Sequence, residues 1–167
     1  VRTMQVLEPT TRRWTRAEYY QMSELGLFDG QRVELIGGEV VVMPPQKYAH
    51  ALTLTLVSRL LAPLFEPKSW VRTQLPLNLS EESDPEPDIS VVAGQPQAYS
   101  DHPKSAELVV EVSGSTLAYD RGPKGSLYAA AGIPDYWIAN LVDHQLEVYR
   151  DRIPDEYLWP GGELPEP

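Results

Sequence analysis

Two acidic residues stand inside apolar, β-branched segments of the 167-residue chain. Asp88 opens the segment DISVV, and Glu111 lies near the end of AELVVEV. Burying an ionised carboxylate costs several kcal/mol unless it is paired or bound to a metal, so a shared cation would account for both residues. Carboxylates, completed by backbone carbonyls and water, suit Mg²⁺ or Mn²⁺. Carboxylates that end strands and face solvent would give the same pattern.

A lysine adds to this pair. Asp120 is predicted to cap a helix over residues 121 to 131, which Gly132 ends, with Lys124 on its first turn. There an ammonium could orient or help deprotonate an attacking water and stabilise a pentavalent phosphate. An i, i+4 pair between Asp120 and Lys124, worth about 0.3–0.5 kcal/mol, is the alternative, and the two interpretations are compatible.

The elements that would position these residues follow from local patterns. Thr15 and Glu18 form a capping box that predicts a helix to about Leu25, and Gly37-Gly38 predicts a hairpin between strands at 32–36 and 39–43. An amphipathic helix is predicted over 47–62, with an apolar face made of Leu52, Leu56, Leu60 and Leu64 and of Val57 and Leu61 beside them.

Further β-rich runs predict the remaining strands, at about 70–79, 88–92, 106–112, 136–138 and 146–149. Pro76 indicates an edge or a bulge in the first of them. The two runs that carry Asp88 and Glu111 are expected in the middle of the sheet. We therefore predict an α/β (α+β) fold, a mixed central sheet flanked by helices.

Composition limits the class of protein. With 42% hydrophobic residues and this length, we expect a single domain over 1–167, with an N-terminal arm at 1–13 and an irregular tail at 150–167. The absence of cysteine excludes disulfides, thiolate zinc sites and thiol nucleophiles. No signal-peptide core or membrane-length apolar stretch is apparent, so we expect a cytoplasmic protein with no membrane partner.

Charge argues against non-specific coating of DNA. The chain has 14 basic and 24 acidic residues, a formal net charge of −10. This does not exclude a nuclease, because bound cations invert the field of an acidic site. Near the N-terminus, the arginines fit either a strip for the phosphate backbone or a solvated tail: Arg2, Arg12, Arg13 and Arg16, against Glu8.

Several motifs together resemble a known family. RVELIGGEVVVMPPQKYAH, PEPDISVV and ELVVEVSGSTLAYDRGPKGSLYAAAGIPDYWI are similar in order and content to the Uma-two type restriction endonucleases of the PD-(D/E)XK superfamily. The resemblance runs from about Trp14 to Tyr149. It implies a restriction-endonuclease-like fold, with Asp88 and Glu111 as metal-binding acids and Lys124 as the superfamily lysine, displaced onto the following helix.

The resemblance also implies roles for residues outside this trio. Glu34 matches an acid beside the metal or its water, and Gln74 matches a strand glutamine whose amide could contact the site or remain at the surface. His50 matches a family histidine, with either a catalytic or a capping and packing role. The Val112 carbonyl is a candidate further metal ligand, and Asp120 a supporting residue. One departure is that Ser113, not lysine, stands two residues after Glu111.

The leading functional hypothesis is a Mg²⁺-dependent (or Mn²⁺-dependent) endonuclease that hydrolyses DNA phosphodiesters. The alternatives are an inactive nuclease-fold module that binds protein or nucleic acid, and a metal-dependent hydrolase of RNA or small nucleotides. Because cutting a duplex takes two cuts, a homodimer is a reasonable expectation, with the oligomeric state left open. Tyr128 and Tyr136-Trp137 are interpreted as core aromatics.

Overall fold

The computed structural model describes residues 10–150. Its first helix, α1, is held by the predicted capping box between Thr15 and Glu18. The helices and strands follow in this order: α1 (Arg16–Glu24), β1 (Val33–Ile36), β2 (Glu39–Val42), α2 (Tyr48–Phe65), β3 (Ser69–Thr73), β4 (Ile89–Ala93), a short 3₁₀ turn (Pro96–Ala98), β5 (Leu108–Ser113), α3 (Leu117–Tyr119), a π-helical turn (Asp120–Lys124), α4 (Gly125–Ala130), β6 (Asp135–Asn140) and β7 (Gln145–Arg150).

Five strands form the central sheet in the order β3-β4-β5-β6-β7. Only β5 and β6 run parallel; the other neighbours are antiparallel. The sheet is therefore mixed, with β4 and β5 inside it as predicted. The α+β prediction is confirmed.

The hairpin β1-β2 forms a separate two-stranded sheet. Its turn uses Gly37 and Gly38, whose φ angles of 57° and 79° lie where glycine is favoured. A Cβ atom on Gly38 would also lie 2.5 Å from the Cβ of Arg13, so the close packing of the preceding chain requires glycine there. The hairpin places β1 beside the π-helical turn (Asp120–Lys124) that follows β5.

Two apolar cores lie on the two faces of the sheet. One joins Val92, Val109 and Ile138 to Tyr128 of α4. The other joins Ile89, Val91 and Val110 to Leu61 of α2. Both faces of β4 and β5 are thus covered, which explains their continuous apolar sequence.

The predicted apolar face of α2 is right for Val57 and Leu61 and wrong for the leucine row. The residues that pack onto the sheet are Leu54, Val57, Leu61 and Phe65. The leucine row expected inside is exposed, from 43% at Leu52 to 76% at Leu64. Leucines recur along two faces of this helix, so their spacing alone cannot tell which one the sheet covers. The helix also runs past its predicted end at 62, through Pro63 to Phe65.

Among the described residues, α2 is long and apolar enough to cross a membrane by length and composition, which the sequence analysis did not anticipate. It has 18 residues with a mean hydropathy of 1.2, and 6% of these residues are buried. A single helix of this kind is weak evidence for a span, and one face of this helix packs on the sheet.

Other element boundaries also differ from the predictions. The third strand stops at Thr73 and not near residue 79, because Gln74 has φ 51° and Pro76 cannot donate to a ladder. Helical structure begins at Leu117, so Asp120 is not an N-cap. Arg150 belongs to β7, and the rest of the predicted tail, 151–167, lies outside the described residues, as does 1–9 of the arm.

Candidate active site

Asp88 and Glu111 meet at the end of the β4-β5 pair. The antiparallel register places Ile89 opposite Val110, so the neighbouring residues also face each other. The Asp88 amide N–H donates to Glu111 Oε2 over 3.3 Å, and the Val112 amide N–H donates to Asp88 Oδ2 over 2.8 Å. Both side chains are buried, at 4% and 3% exposure. The two carboxylates are therefore immediate neighbours away from bulk water.

Lys124 lies between two acids that arrive from different elements. Its Nζ atom is 3.0 Å from Glu111 Oε1 and 3.0 Å from Glu34 Oε2. Glu34, on β1, is 1% exposed and Lys124 is 3% exposed. No close ion pair joins Lys124 to Asp120 among the described residues, but the two charges still interact at longer range, so the i, i+4 interpretation stays compatible with a role for Lys124 at the site. The displaced lysine reaches the acids.

A widened helical turn places this lysine. The amide N–H of Gly125 donates to the carbonyl of Asp120, five residues earlier. Pro123 has no N–H, so the ordinary α-helical bond at that position cannot form and the wider π turn is accommodated. Asp120 begins this turn instead of capping a helix. It is 4% exposed, and its Oδ2 accepts hydrogen bonds from the hydroxyls of Ser113 and Thr116.

Two residues known only through the family resemblance contact Asp88. His50, in the first turn of α2, lies with Nε2 2.9 Å from Asp88 Oδ2. The Gln74 side-chain amide donates to Asp88 Oδ1 over 3.2 Å, and its backbone N–H donates to the Asp88 carbonyl over 3.1 Å. Left-handed backbone at a residue other than glycine costs about 1 kcal/mol or more, and these two bonds hold Gln74 there.

Tyr128 has a contact that sequence reasoning missed. It is a core aromatic as expected, with 0% exposure, but its hydroxyl also donates to Glu111 Oε1 over 2.7 Å. A tyrosine within an apolar helical run gives no sequence signal for this bond. Only the packing of α4 on β5 shows it. Glu111 Oε1 thus receives two donors, Lys124 and Tyr128, whereas within residues 10–150 Oε2 accepts only the long bond from the Asp88 amide.

The electrostatics of the cluster follow from burial and from crowding of acids. Burial raises the pKa of Glu111 to about 8, although Lys124 acts to lower it and Asp88 adds to the rise. Burial also acts to lower the pKa of Lys124, but Glu111 and Glu34 outweigh it and raise that pKa. For Asp88 burial is outweighed by His50, Val112 and Gln74, which lower its pKa. Lys124 is therefore held as the cation.

The cluster opens into a cleft of about 250 Å³. Its walls include all four predicted catalytic residues together with His50, Val112 and Asp120. Arg32 and Lys47 lie at the same cleft and supply positive charge beside the acids. A space of this size holds several water molecules, so a phosphate group and a nucleophilic water both fit.

The donors available to a metal ion are few. Within residues 10–150, no three Asp, Glu or His side chains stand together so as to hold one ion. Asp88 and Glu111 are the adjacent pair that could share a cation. The N–H of Val112 points to Asp88, and in extended backbone the carbonyl of the same residue faces the same side. Mg²⁺ commonly takes one or two carboxylates and keeps several waters, so this oxygen set fits it.

The structure thus brings together the residues predicted as catalytic, metal-binding or supporting. Glu34, Asp88, Glu111 and Lys124 form one buried group, which we call the cleft cluster. Around it lie the residues predicted as ligand or support: Val112, Gln74, His50 and Asp120. Their chemical roles stay predictions, since proximity alone does not assign them.

The five-stranded mixed sheet flanked by helices is a nuclease-like fold. The model of the family described as "Uma2: Putative restriction endonuclease" matches residues 16–166, and the chain belongs to this family. A crystal structure from Anabaena variabilis ATCC 29413, described as "a putative nuclease belonging to DUF820", is similar with a TM-score of 0.63 and 15% identity, over 81% of this chain and 79% of that one. That likeness supports the fold. No curated protein matches the chain.

Proposed function

We propose that this protein is a Mg²⁺- or Mn²⁺-dependent endonuclease that hydrolyses phosphodiester bonds of DNA. The observation that supports the proposal most is the cleft cluster, in which the buried carboxylates of Glu34 and Glu111 share one lysine and the buried Asp88 lies beside Glu111. A buried group with excess negative charge is costly to maintain, and a divalent cation would offset that cost. Family membership supports the nuclease class.

Asp88 and Glu111, with the Val112 carbonyl, would hold the cation. When bound, such an ion polarises the phosphate and lowers the pKa of a coordinated water. Of the two Glu111 oxygens, Oε2 is the less engaged, whereas Lys124 and Tyr128 hold Oε1 and fix the rotamer. His50 and Gln74 orient Asp88 in the same way.

Lys124 acts as a fixed positive charge and not as a base. Its pKa is raised, so at neutral pH it keeps its proton and cannot accept one from water. From its place between two acids, its ammonium stabilises the negative charge that develops on the phosphate. In the hydrolysis, a water oxygen bonds to phosphorus and the bond to the leaving oxygen breaks. We assign Glu34 as the acceptor of the water's proton, and the leaving oxygen is protonated from solvent.

The acidic chain still offers positive groups where a DNA backbone would approach. Arg32 and Lys47 line the cleft, and the first turn of α2, which also lines it, contains no acidic residue. Helix N-termini favour anions, so a phosphate can approach along this side. We expect strongly salt-dependent, weak binding, because the net charge of −10 repels DNA at long range.

One observation favours a second candidate, an inactive nuclease-fold module. The Asp88 oxygens and Glu111 Oε1 already accept hydrogen bonds from within the protein, so the acids are satisfied without a metal. Such a domain would keep the scaffold for binding protein or nucleic acid. The two candidates differ in catalysis and not in fold.

Cleavage assays separate them. Supercoiled plasmid, linear duplex, RNA and small nucleotides are incubated with Mg²⁺, Mn²⁺ or EDTA, using wild type, Asp88→Asn and Lys124→Ala. We expect metal-dependent DNA cleavage that falls by about 1,000-fold in both variants, since each removes a group that contacts the reacting centre. Asp143→Asn, an exposed acid outside the cleft, is the control. Cleavage that persists in both variants would reject the site, and no cleavage by wild type would favour the inactive module.

A further inference from the structure

The turn that carries Lys124 is fastened at its first residue. Asp120 Oδ2 accepts a hydrogen bond from Ser113 Oγ at 2.5 Å and another from Thr116 Oγ1 at 2.7 Å. Its backbone carbonyl accepts from the Tyr136 hydroxyl at 2.9 Å as well as from the Gly125 amide. Asp120 therefore ties the turn to β5 and to β6, and 4% exposure keeps water from competing for these bonds.

The strand end of this connection lies beside the acids. Ser113 and Glu111 are two residues apart on β5, so their side chains project from the same face of the sheet. Ser113 also holds the position where the family resemblance would place lysine. The chain thus has a hydroxyl where an ammonium is expected, and that hydroxyl binds the first residue of the turn that delivers the ammonium.

The geometry of the turn explains why fastening matters. Between Asp120 and Lys124, Pro123 prevents a regular α-helical bond and the backbone takes the wider π turn. A turn with fewer internal restraints can revert or shift, which would move the base of the Lys124 side chain. A displacement of about 1 Å at a reacting group can cost about 100-fold in rate.

We propose that Asp120 is a positioning residue for Lys124, acting through the hydrogen bonds that its side-chain oxygen accepts from Ser113 and Thr116. The inference rests on the proposed nuclease function for its kinetic consequence, but not for its structural one. The competing role is direct: Asp120 also lines the cleft, where its charge could act on a cation or on substrate. The two roles predict different behaviour for an uncharged residue of the same shape.

The variant Asp120→Asn separates the positioning role from the direct role. Its amide keeps one oxygen that can accept both hydroxyl bonds, but it carries no charge, whereas Ala removes the acceptor. We expect Asp120→Ala to lower kcat for plasmid cleavage by about 10- to 100-fold with KM changed less than about twofold, and Asp120→Asn to stay within about threefold of wild type. An Asn variant as impaired as the Ala variant would overturn the proposal in favour of the direct role.

A measurement that needs no catalysis reports on the lysine itself. The chain has 4 lysines, so NMR of protein labelled at the lysine ε-carbons gives few signals, and the buried Lys124 signal is identified by its loss in Lys124→Met. We expect Asp120→Ala to shift this signal toward that of exposed lysines and Asp120→Asn to leave it in place. An unshifted signal in Asp120→Ala would overturn the proposal.

A second variant protects the test against misfolding. Ser113→Ala with Thr116→Val removes both donors and leaves Asp120 intact, and it should reproduce the NMR shift and the kcat loss of Asp120→Ala. Ser58→Ala, which removes a hydroxyl bonded only to the α2 backbone, is the control and should change neither. If wild type cleaves no DNA, the proposed nuclease function fails while the NMR shift still decides whether Asp120 positions Lys124.

Discussion

One helical turn supplies a cation to each of two very different charged groups. Lys124 enters the cleft cluster, whereas Arg121, three residues earlier, reaches the edge of the sheet and forms two hydrogen bonds with Glu147, of 2.9 and 2.6 Å. Asn140 and Tyr149 also donate to Glu147. We call these four residues the strand-edge cluster.

The two clusters differ in burial. In the strand-edge cluster Arg121, which is 38% exposed, faces Glu147 and also lies 3.7 Å from Oδ2 of the exposed Asp143. In the cleft cluster one buried lysine serves Glu34 and Glu111, with Asp88 beside them. Partly exposed ion pairs contribute modest stability. Burying more carboxylates than cations lowers the stability of a fold, and proteins retain such unfavourable groups at functional sites.

The largest effect should follow removal of the buried cation. Lys124→Met leaves two buried carboxylates without their partner, so we expect the free energy of unfolding to fall by about 3–5 kcal/mol at pH 8, measured by urea denaturation. The loss should shrink toward pH 5. The folded-state pKa of Glu111, about 8, lies above its unfolded value. The contribution of Glu111 to the free energy of unfolding is therefore greatest at low pH and is lost as the pH rises through 8.

Lys104→Met, at an exposed lysine, is the matched control and should unfold like wild type at every pH. Equal stability of Lys124→Met and wild type at pH 8 would mean that the lysine is not the counter-charge of the two acids.

A smaller effect is expected from the donor that the sequence did not reveal. Tyr128→Phe removes one hydrogen bond to Glu111 and leaves the ring, so we expect about 1–2 kcal/mol less stability. Since Glu111 then turns more freely, we also expect about tenfold weaker divalent-ion affinity, measured by calorimetry. Tyr99→Phe, remote from the cleft, should leave ion affinity unchanged. Unaltered affinity in Tyr128→Phe would reduce Tyr128 to a packing role.

The smallest effect belongs to the strand-edge cluster. The hydrogen bonds from Arg121 come first among the causes that lower the pKa of Glu147 to about 2. A lowered folded-state pKa contributes stability above the unfolded value and loses it as the pH falls toward 2. Glu147→Gln should therefore cost about 1 kcal/mol at pH 7 and nothing near pH 2, followed by thermal unfolding, with cleavage unchanged. A loss of cleavage would link the two clusters.

The comparison also shows what sequence could predict. Asp88 and Glu111 were identifiable because a carboxylate in a β-branched run conflicts with its surroundings, and the conflict is visible locally. The hairpin and the capping box could also be predicted because their signals, the Gly37-Gly38 pair and the spacing of Thr15 and Glu18, are local. These are short-range patterns, each fixed by residues within a few positions of one another.

What the sequence could not predict depends on long-range packing. The bond from Tyr128 to Glu111 and the inner face of α2 are set by how helices lie on the sheet. Asp120 was misassigned as a cap because the π turn arises from Pro123 together with the bonds to Ser113 and Tyr136, and not from local propensity alone. Lys124 was placed near the acids by its position on a predicted helix and by resemblance, but only the turn shows how it reaches Glu34.

The central claim is that the cleft cluster binds a divalent cation, and titration of Mn²⁺ into the metal-free protein by calorimetry tests it most directly. Wild type and Asp143→Asn should bind with matching affinity, whereas Asp88→Asn and Glu111→Gln should each bind at least about 10- to 100-fold more weakly. Equal binding by all four proteins, or none by wild type at millimolar Mn²⁺, would contradict the account.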